Sequence, residues 1–248
     1  MEHTSKIIEL NEHDLIQSIQ SNTISVCVIG IGRIGLPTAL SFANSGISTI
    51  GVDINSKLVE MINSKIFPLK DEPGYDVIFD KVINEKKFRA TTNFSEGVNS
   101  SDVIVLSLPT PMNDQNIPDY SALLSVAKRL HDEMFDGKLI IIESTVEPGF
   151  VETDFLKILE GNDEKLKLGK NFSLGVCPET ANPGQILNDF ERLPRLVGAM
   201  NENTKNLIIK IYKHVFTVEL IPMPNCKTAN AVKLTTNVFR DLNIAFVN

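Results

Sequence analysis

The chain has 248 residues, 42% hydrophobic and 22% charged, with a formal net charge of −7 at pH 7. That length holds one large domain, or one domain and part of a second. An acidic chain without a basic block is a poor partner for nucleic acid or an anionic membrane, so neither is expected. No run approaches the ~20 apolar residues of a membrane-spanning helix. The charged start (Glu2, Lys6, Glu9, Glu12, Asp14) is unlike a secretory signal. Three cysteines without a CxxC pair fit a reducing compartment, with the cytoplasm as the expectation.

Residues 1–23 are polar and precede the first strand as a short helix or an arm. Apolar, β-branched-rich runs then recur at 24–29, 48–52, 103–108, 139–142, 172–176, 196–198 and 218–221. Such runs suit strands buried on both faces of a parallel sheet. Helix-length segments at 36–45, 57–63, 120–135, 149–160 and 202–215 lie between them, and 161–170 looks like a solvated loop. The alternation predicts an α/β fold, a doubly wound, mostly parallel Rossmann-like sheet. From Thr228 onward there is no Gly or Pro, and apolar residues follow a helical pattern to Asn248 without a cap. The spacing predicts a long apolar C-terminal helix, which another element or subunit should cover.

Gly30-Ile31-Gly32-Arg33-Ile34-Gly35 is a G-x-G-x-x-G between an apolar strand and a helical segment. Gly30 permits the tight turn, Gly32 lets backbone approach a pyrophosphate, and Gly35 lets helix pack on sheet. Arg33 and Ile34 lie within the same turn, at the helix N-terminus that would face the phosphates. Asp53 closes the second strand near the spacing expected of the acid that holds a ribose. Its carboxylate would repel a 2′-phosphate, which favours NAD over NADP; as an alternative it caps the helix after Asn55. Pro109-Thr110-Pro111, Glu143-Ser144-Thr145 and Cys177-Pro178-Glu179 follow three further strands. Ligands of doubly wound sheets sit beyond such strand ends, though turn chemistry alone also accounts for each motif. No metal site is expected.

Together, 30–37 (GIGRIGLP), Pro109-Thr110-Pro111, Glu143-Ser144-Thr145 with Pro148-Gly149, Cys177-Pro178-Glu179 and Arg195-Leu196-Val197-Gly198 stand in an order that resembles the UDP-glucose/GDP-mannose dehydrogenase family. The stretches 177–187 (CPETANPGQIL) and 233–248 (KLTTNVFRDLNIAFVN) are similar to its branch that oxidises UDP-N-acetyl-D-mannosamine. The resemblance implies NAD-dependent oxidation of a UDP-N-acetylhexosamine at C6, from alcohol to carboxylate, for polysaccharide biosynthesis. It implies that Lys233 and Asn237 hold the C6 oxygen, a water and the developing oxyanion. Their i, i+4 spacing puts both on one helical face; without the resemblance Lys233 reads as a solvated helix lysine. It further implies that Glu179 moves a proton when a thioester is hydrolysed, that Thr145 positions the water beside the nicotinamide, and that Pro109 and Thr110 lie on the cofactor side.

The resemblance divides the chain into an extension (1–23), an NAD-binding domain (24–222) and the start of a central, dimer-forming helix (223–248), with the UDP-binding domain absent. A homodimer through that helix is the expected assembly. Three positions depart from the family's pattern. Thr180 stands where an arginine is usual, Asn230 where a glutamate is, and Pro183 where UDP-glucose enzymes carry a second glutamate. No residue matches the family's nucleophilic cysteine, which lies well beyond the central helix. The chain alone is therefore expected to bind NAD without completing the oxidation. The alternative is a degenerate NAD-binding or interaction module that pairs with a complete subunit. A related β-hydroxyacid dehydrogenase, which also uses a helix lysine and asparagine, is a third reading that the Glu143-Ser144-Thr145 and Cys177-Pro178-Glu179 motifs disfavour.

Overall fold

The structure, a computed structural model, describes residues 6–163 and 165–248. Within them the strands are β1 (Ser25–Ile29), β2 (Ser48–Val52), β3 (Phe88–Thr91), β4 (Val103–Leu106), β5 (Lys138–Ile142), β6 (Phe172–Val176), β7 (Arg195–Ala199) and β8 (Leu220–Pro222). They form one sheet in the order β3-β2-β1-β4-β5-β6-β7-β8. All neighbours are parallel except β6 and β7, where Val176 faces Gly198 in antiparallel register. Every residue of β4, β5 and β6 is buried, which is why those strands read as mostly apolar runs, broken only by Lys138 at the start of β5 and Ser173 in β6. Edge strand β3 has no such run; Phe88 and Ala90 point inward while Arg89 is exposed.

The helices are α1 (Glu12–Gln20), α2 (Gly35–Asn44), α3 (Ser56–Asn63), α4 (Tyr75–Asn84), α5 (Phe94–Asn99), α6 (Ser121–Glu133), α7 (Leu156–Glu160), α8 (Ile186–Arg192), α9 (Glu202–Val215) and α10 (Cys226–Val247). Asparagine starts five of them: Asn11, Asn55, Asn93, Asn201 and Asn225 each accept the N–H three residues on. Each such cap contributes about 1 kcal/mol. Helices α1, α2, α4 and α9 bury their apolar faces on one side of the sheet, and α5, α6, α7 and the start of α10 on the other. That two-sided cover makes the sheet doubly wound.

Several expectations need correction. Of the two expected forms of the N-terminal extension the helix is the one present, and it is packed rather than merely polar: Leu15 and Ile19 of α1 enter the core, and Glu12 pairs with Lys210 of α9 at 2.6 Å. Residues 1–5 lie outside the described residues. Helix 149–160 opens as a π-helical turn, Val151–Phe155. The 161–170 loop buries Leu166, and Leu168 donates its N–H to Glu160; Glu164 lies outside the described residues. The final helix has the expected extent, but Lys227, Lys233, Arg240 and Asp241 interrupt its apolar pattern. Its buried residues are Cys226, Ala229, Asn230 and Lys233, all in its first half.

Candidate cofactor and substrate site

The glycine turn leaves β1 with Gly30 at φ +87°, in the left-handed region, where a Cβ would meet the Ser107 carbonyl oxygen at 2.5 Å. A Cβ on Gly35 would lie 1.9 Å from the Gly30 oxygen, so α2 packs directly on the turn. At Gly32 the opposite holds: nothing lies within 4 Å of a Cβ position. No side chain caps α2; Leu36 donates its N–H to the Gly32 carbonyl at 3.1 Å and Pro37 has none, so it is the glycine turn itself that faces that open space at the helix start. Asp53 ends β2 and accepts the Ile31 N–H at 3.0 Å and the Asn55 N–H at 2.9 Å. The cap of α3 is Asn55 itself, so Asp53 is not needed as one. An open backbone turn, an uncapped helix and a carboxylate at the next strand end fit the pyrophosphate and ribose of a dinucleotide. Arg33 turns its guanidinium toward Asp71 and Glu72.

Beyond β4, β5 and β6 three loops are sewn together. Ser144 Oγ accepts the Leu108 N–H at 2.8 Å and donates to the Leu108 carbonyl at 2.9 Å. Thr110 Oγ1 donates to the Thr145 carbonyl at 2.8 Å. The Glu179 N–H donates to the Glu143 carbonyl at 3.3 Å. Thr110, Thr145 and Glu179 stay half-buried, and Pro109 is exposed.

Glu143 and Cys177, expected at the crevice wall, are buried instead. The Glu143 carboxylate accepts Arg195 at 3.1 Å, the Tyr212 hydroxyl at 2.9 Å and the Thr38 hydroxyl at 3.0 Å. Burial pushes its carboxyl up from the ordinary value, while Arg195 and the hydroxyls pull it down. The Arg195 guanidinium sits 4.0 Å from the Phe216 ring centre and 4.3 Å from that of Phe190. This polar knot beneath the loops joins α2, β7, α9 and the end of β5. None of its members is close to another in sequence, so spacing gave no signal of it.

Lys233 on α10 is only 6% exposed. Desolvation lowers its pKa, and the nearby Glu179 charge opposes that shift. Asn237, one turn on, is half-buried. Arg240 donates to the Asn182 side-chain oxygen at 2.8 Å. The structure thus brings Glu179, Lys233 and, through the Glu143 backbone, Thr145 to one end of the sheet. Asn230 is buried, and its side-chain nitrogen has no partner among the described residues. All three cysteines are free and fully buried. Burial pushes the Cys177 and Cys226 thiols up to about 12 and raises Cys27 further. Among the described residues no cluster could hold a metal ion.

Known proteins share this sequence and fold. The UDP-N-acetyl-D-mannosamine dehydrogenase of Campylobacter jejuni is 36% identical over 230 residues, covering 90% of this chain and 55% of that protein. The structure of UDP-D-ManNAc dehydrogenase from Pyrococcus horikoshii superposes with a TM-score of 0.83 at 34% identity, over 90% of this chain and 52% of that one. An NDP-N-acetyl-D-galactosaminuronic acid dehydrogenase from Methanosarcina mazei gives a TM-score of 0.83 at 31% identity, over 99% of this chain and 52% of that one. This chain therefore spans about half the length of the relatives it matches. The model of the UDP-glucose/GDP-mannose dehydrogenase family, NAD binding domain, matches residues 24–216, and the chain belongs to that family.

Proposed function

We propose that this chain is the cofactor-binding half of a cytoplasmic nucleotide-sugar 6-dehydrogenase whose substrate is a UDP-N-acetylhexosamine, UDP-N-acetyl-D-mannosamine before others. The carrying observation is Lys233, only 6% exposed and within electrostatic reach of the Glu179 carboxylate at the strand ends. The relatives' names and Pro183, which stands where UDP-glucose enzymes carry a glutamate, support the choice of sugar.

Gly30, Gly32, Arg33, Ile34, Gly35, Asp53, Pro109, Thr110 and Thr145 hold the cofactor. When bound, NAD supplies the hydride acceptor. Lys233 and the Asn237 amide hydrogen-bond the sugar C6 oxygen, and a fixed cation in a desolvated site stabilises developing oxyanion charge. Thr145 orients a water and the Glu179 carboxylate takes its proton. The three buried thiols have raised pKa values, whereas a nucleophilic cysteine needs an accessible thiolate. On this reading the 248-residue chain binds NAD and does not complete the four-electron oxidation. The exposed Val238, Phe239, Leu242 and Phe246 of α10 suit a homodimer contact. A second reading, a module that binds NAD and pairs with a complete subunit, draws support from Asn230, which stands where the family pattern has glutamate and whose side-chain nitrogen has no partner among the described residues.

The test is calorimetric titration of the chain with NAD and NADP, followed by NADH absorbance with UDP-N-acetyl-D-mannosamine, UDP-glucose and UDP-N-acetylglucosamine. NAD binding without NADH formation is expected. Failure to bind NAD would overturn the cofactor reading; sustained turnover would overturn the thiol argument and name the sugar.

A further inference from the structure

Residues 177–185, between β6 and α8, have no regular structure, yet they carry Glu179. A segment without a hydrogen-bond ladder must find partners for its N–H groups elsewhere. Two come from a residue far away in sequence: Glu72 accepts the Gly184 N–H at 2.6 Å with one oxygen and the Ile186 N–H at 3.2 Å with the other. The Glu72 side chain is fully buried. A buried carboxylate is costly unless its charge is met, and the cation that meets it is Arg33, at 3.4 Å from the oxygen that holds Gly184. Arg33 lies inside the glycine turn, and its side chain is 44% exposed. One charged chain of contacts therefore runs from the dinucleotide turn through Arg33 and Glu72 to the loop bearing Glu179.

We propose that Glu72 is a positioning residue for the 180–186 segment and that Arg33 makes its hold depend on the cofactor. This rests on the reading of Glu179 as a proton-handling group and of the turn as the NAD site. Asp71, itself exposed, and Glu72 already face Arg33; a pyrophosphate over the turn would add a third anionic partner and fix the half-exposed guanidinium, and a fixed guanidinium holds the Glu72 carboxylate against Gly184 and Ile186. Two sites joined by such a shared ordering step bind cooperatively without a large change in shape.

The experiment is amide hydrogen exchange on the 248-residue chain, with and without saturating NAD. NAD is expected to slow exchange at 30–36 and, roughly fivefold or more, at 180–186. Arg33→Met should abolish the slowing at 180–186 at NAD concentrations that still protect 30–36, and Arg33→Lys should keep part of it. Without NAD, Glu72→Gln should speed exchange at 180–186 and leave 30–36 unchanged. A purely structural Glu72 would give no NAD dependence. Protection of 30–36 with no change at 180–186, or a full NAD effect at 180–186 in Arg33→Met, would overturn the linkage. No protection at either segment would overturn the cofactor reading and the linkage with it.

Discussion

Arg195→Met cuts a charge pair that water does not screen. The Arg195 and Glu143 side chains are 2% and 0% exposed, and their nearest atoms are 3.1 Å apart. Methionine keeps much of the packing against Phe190 and Phe216 but leaves the Glu143 carboxylate with only the Tyr212 and Thr38 hydroxyls. Removing one member of a buried pair costs about 3–5 kcal/mol, because the other charge stays behind. For a chain of this size that is roughly 6–20 °C in thermal midpoint. Glu143→Gln should cost a similar amount by stranding Arg195, one of whose nitrogens already has no partner. The double variant should cost less than the two singles added, by roughly 2 kcal/mol, since neither charge remains. Urea denaturation of all four proteins gives the cycle. A single substitution costing under ~1 kcal/mol, or strict additivity, would refute the view of this pair as one buried unit.

Four further outcomes are expected. Gly35→Ala, whose Cβ would meet the Gly30 oxygen at 1.9 Å, should lose roughly 3 kcal/mol of stability. Gly32→Ala, with open space at its Cβ, should stay within about 0.5 kcal/mol of wild type yet weaken NAD binding; denaturation and calorimetry together separate the two. Asp53→Asn should lower discrimination against NADP roughly tenfold by removing like-charge repulsion, read as the ratio of the two dissociation constants. Burial lowers the Lys233 pKa below 10.5. Between the folded value and 10.5 the unfolded chain holds more of that proton, so stability owed to this residue rises with pH across that window. Urea melts at neutral pH and at pH 10.5 should show wild type gaining on Lys233→Met, and an unchanged gap would contradict the shift.

The core strands were legible in the sequence because burial on both faces writes itself as an apolar run, as in Leu139–Ile142. β3 was not, because an edge strand of four residues with Arg89 outward carries no such run. α4 also went unread, although Tyr75, Phe79 and Val82 keep a helical spacing; Pro73-Gly74 before them looks like a loop. At the site, the glycine turn and Asp53 could be found because their chemistry is local. Glu72 and Arg195 work through partners more than 30 residues away, and nothing in a linear spacing marks such a pair. Glu143 shows the converse: its place after a strand suggested an open wall, yet its side chain turns inward to Arg195.

The reversal of direction at β7 has a consequence for how the chain could be rearranged. Because β7 runs opposite to β6, β8 beside it does too, and α10 begins next to Gly198, where a Cβ would strike the Asn225 carbonyl. From there the helix climbs past Glu179 at Lys233 and reaches Asn182 at Arg240. Had the last two strands kept the common direction, the same helix would start at the crevice and lead away from it, and its lysine would never arrive. An engineer grafting this half onto another scaffold would need to carry the β7–β8 pair with the helix, since that pair sets the heading of everything attached downstream.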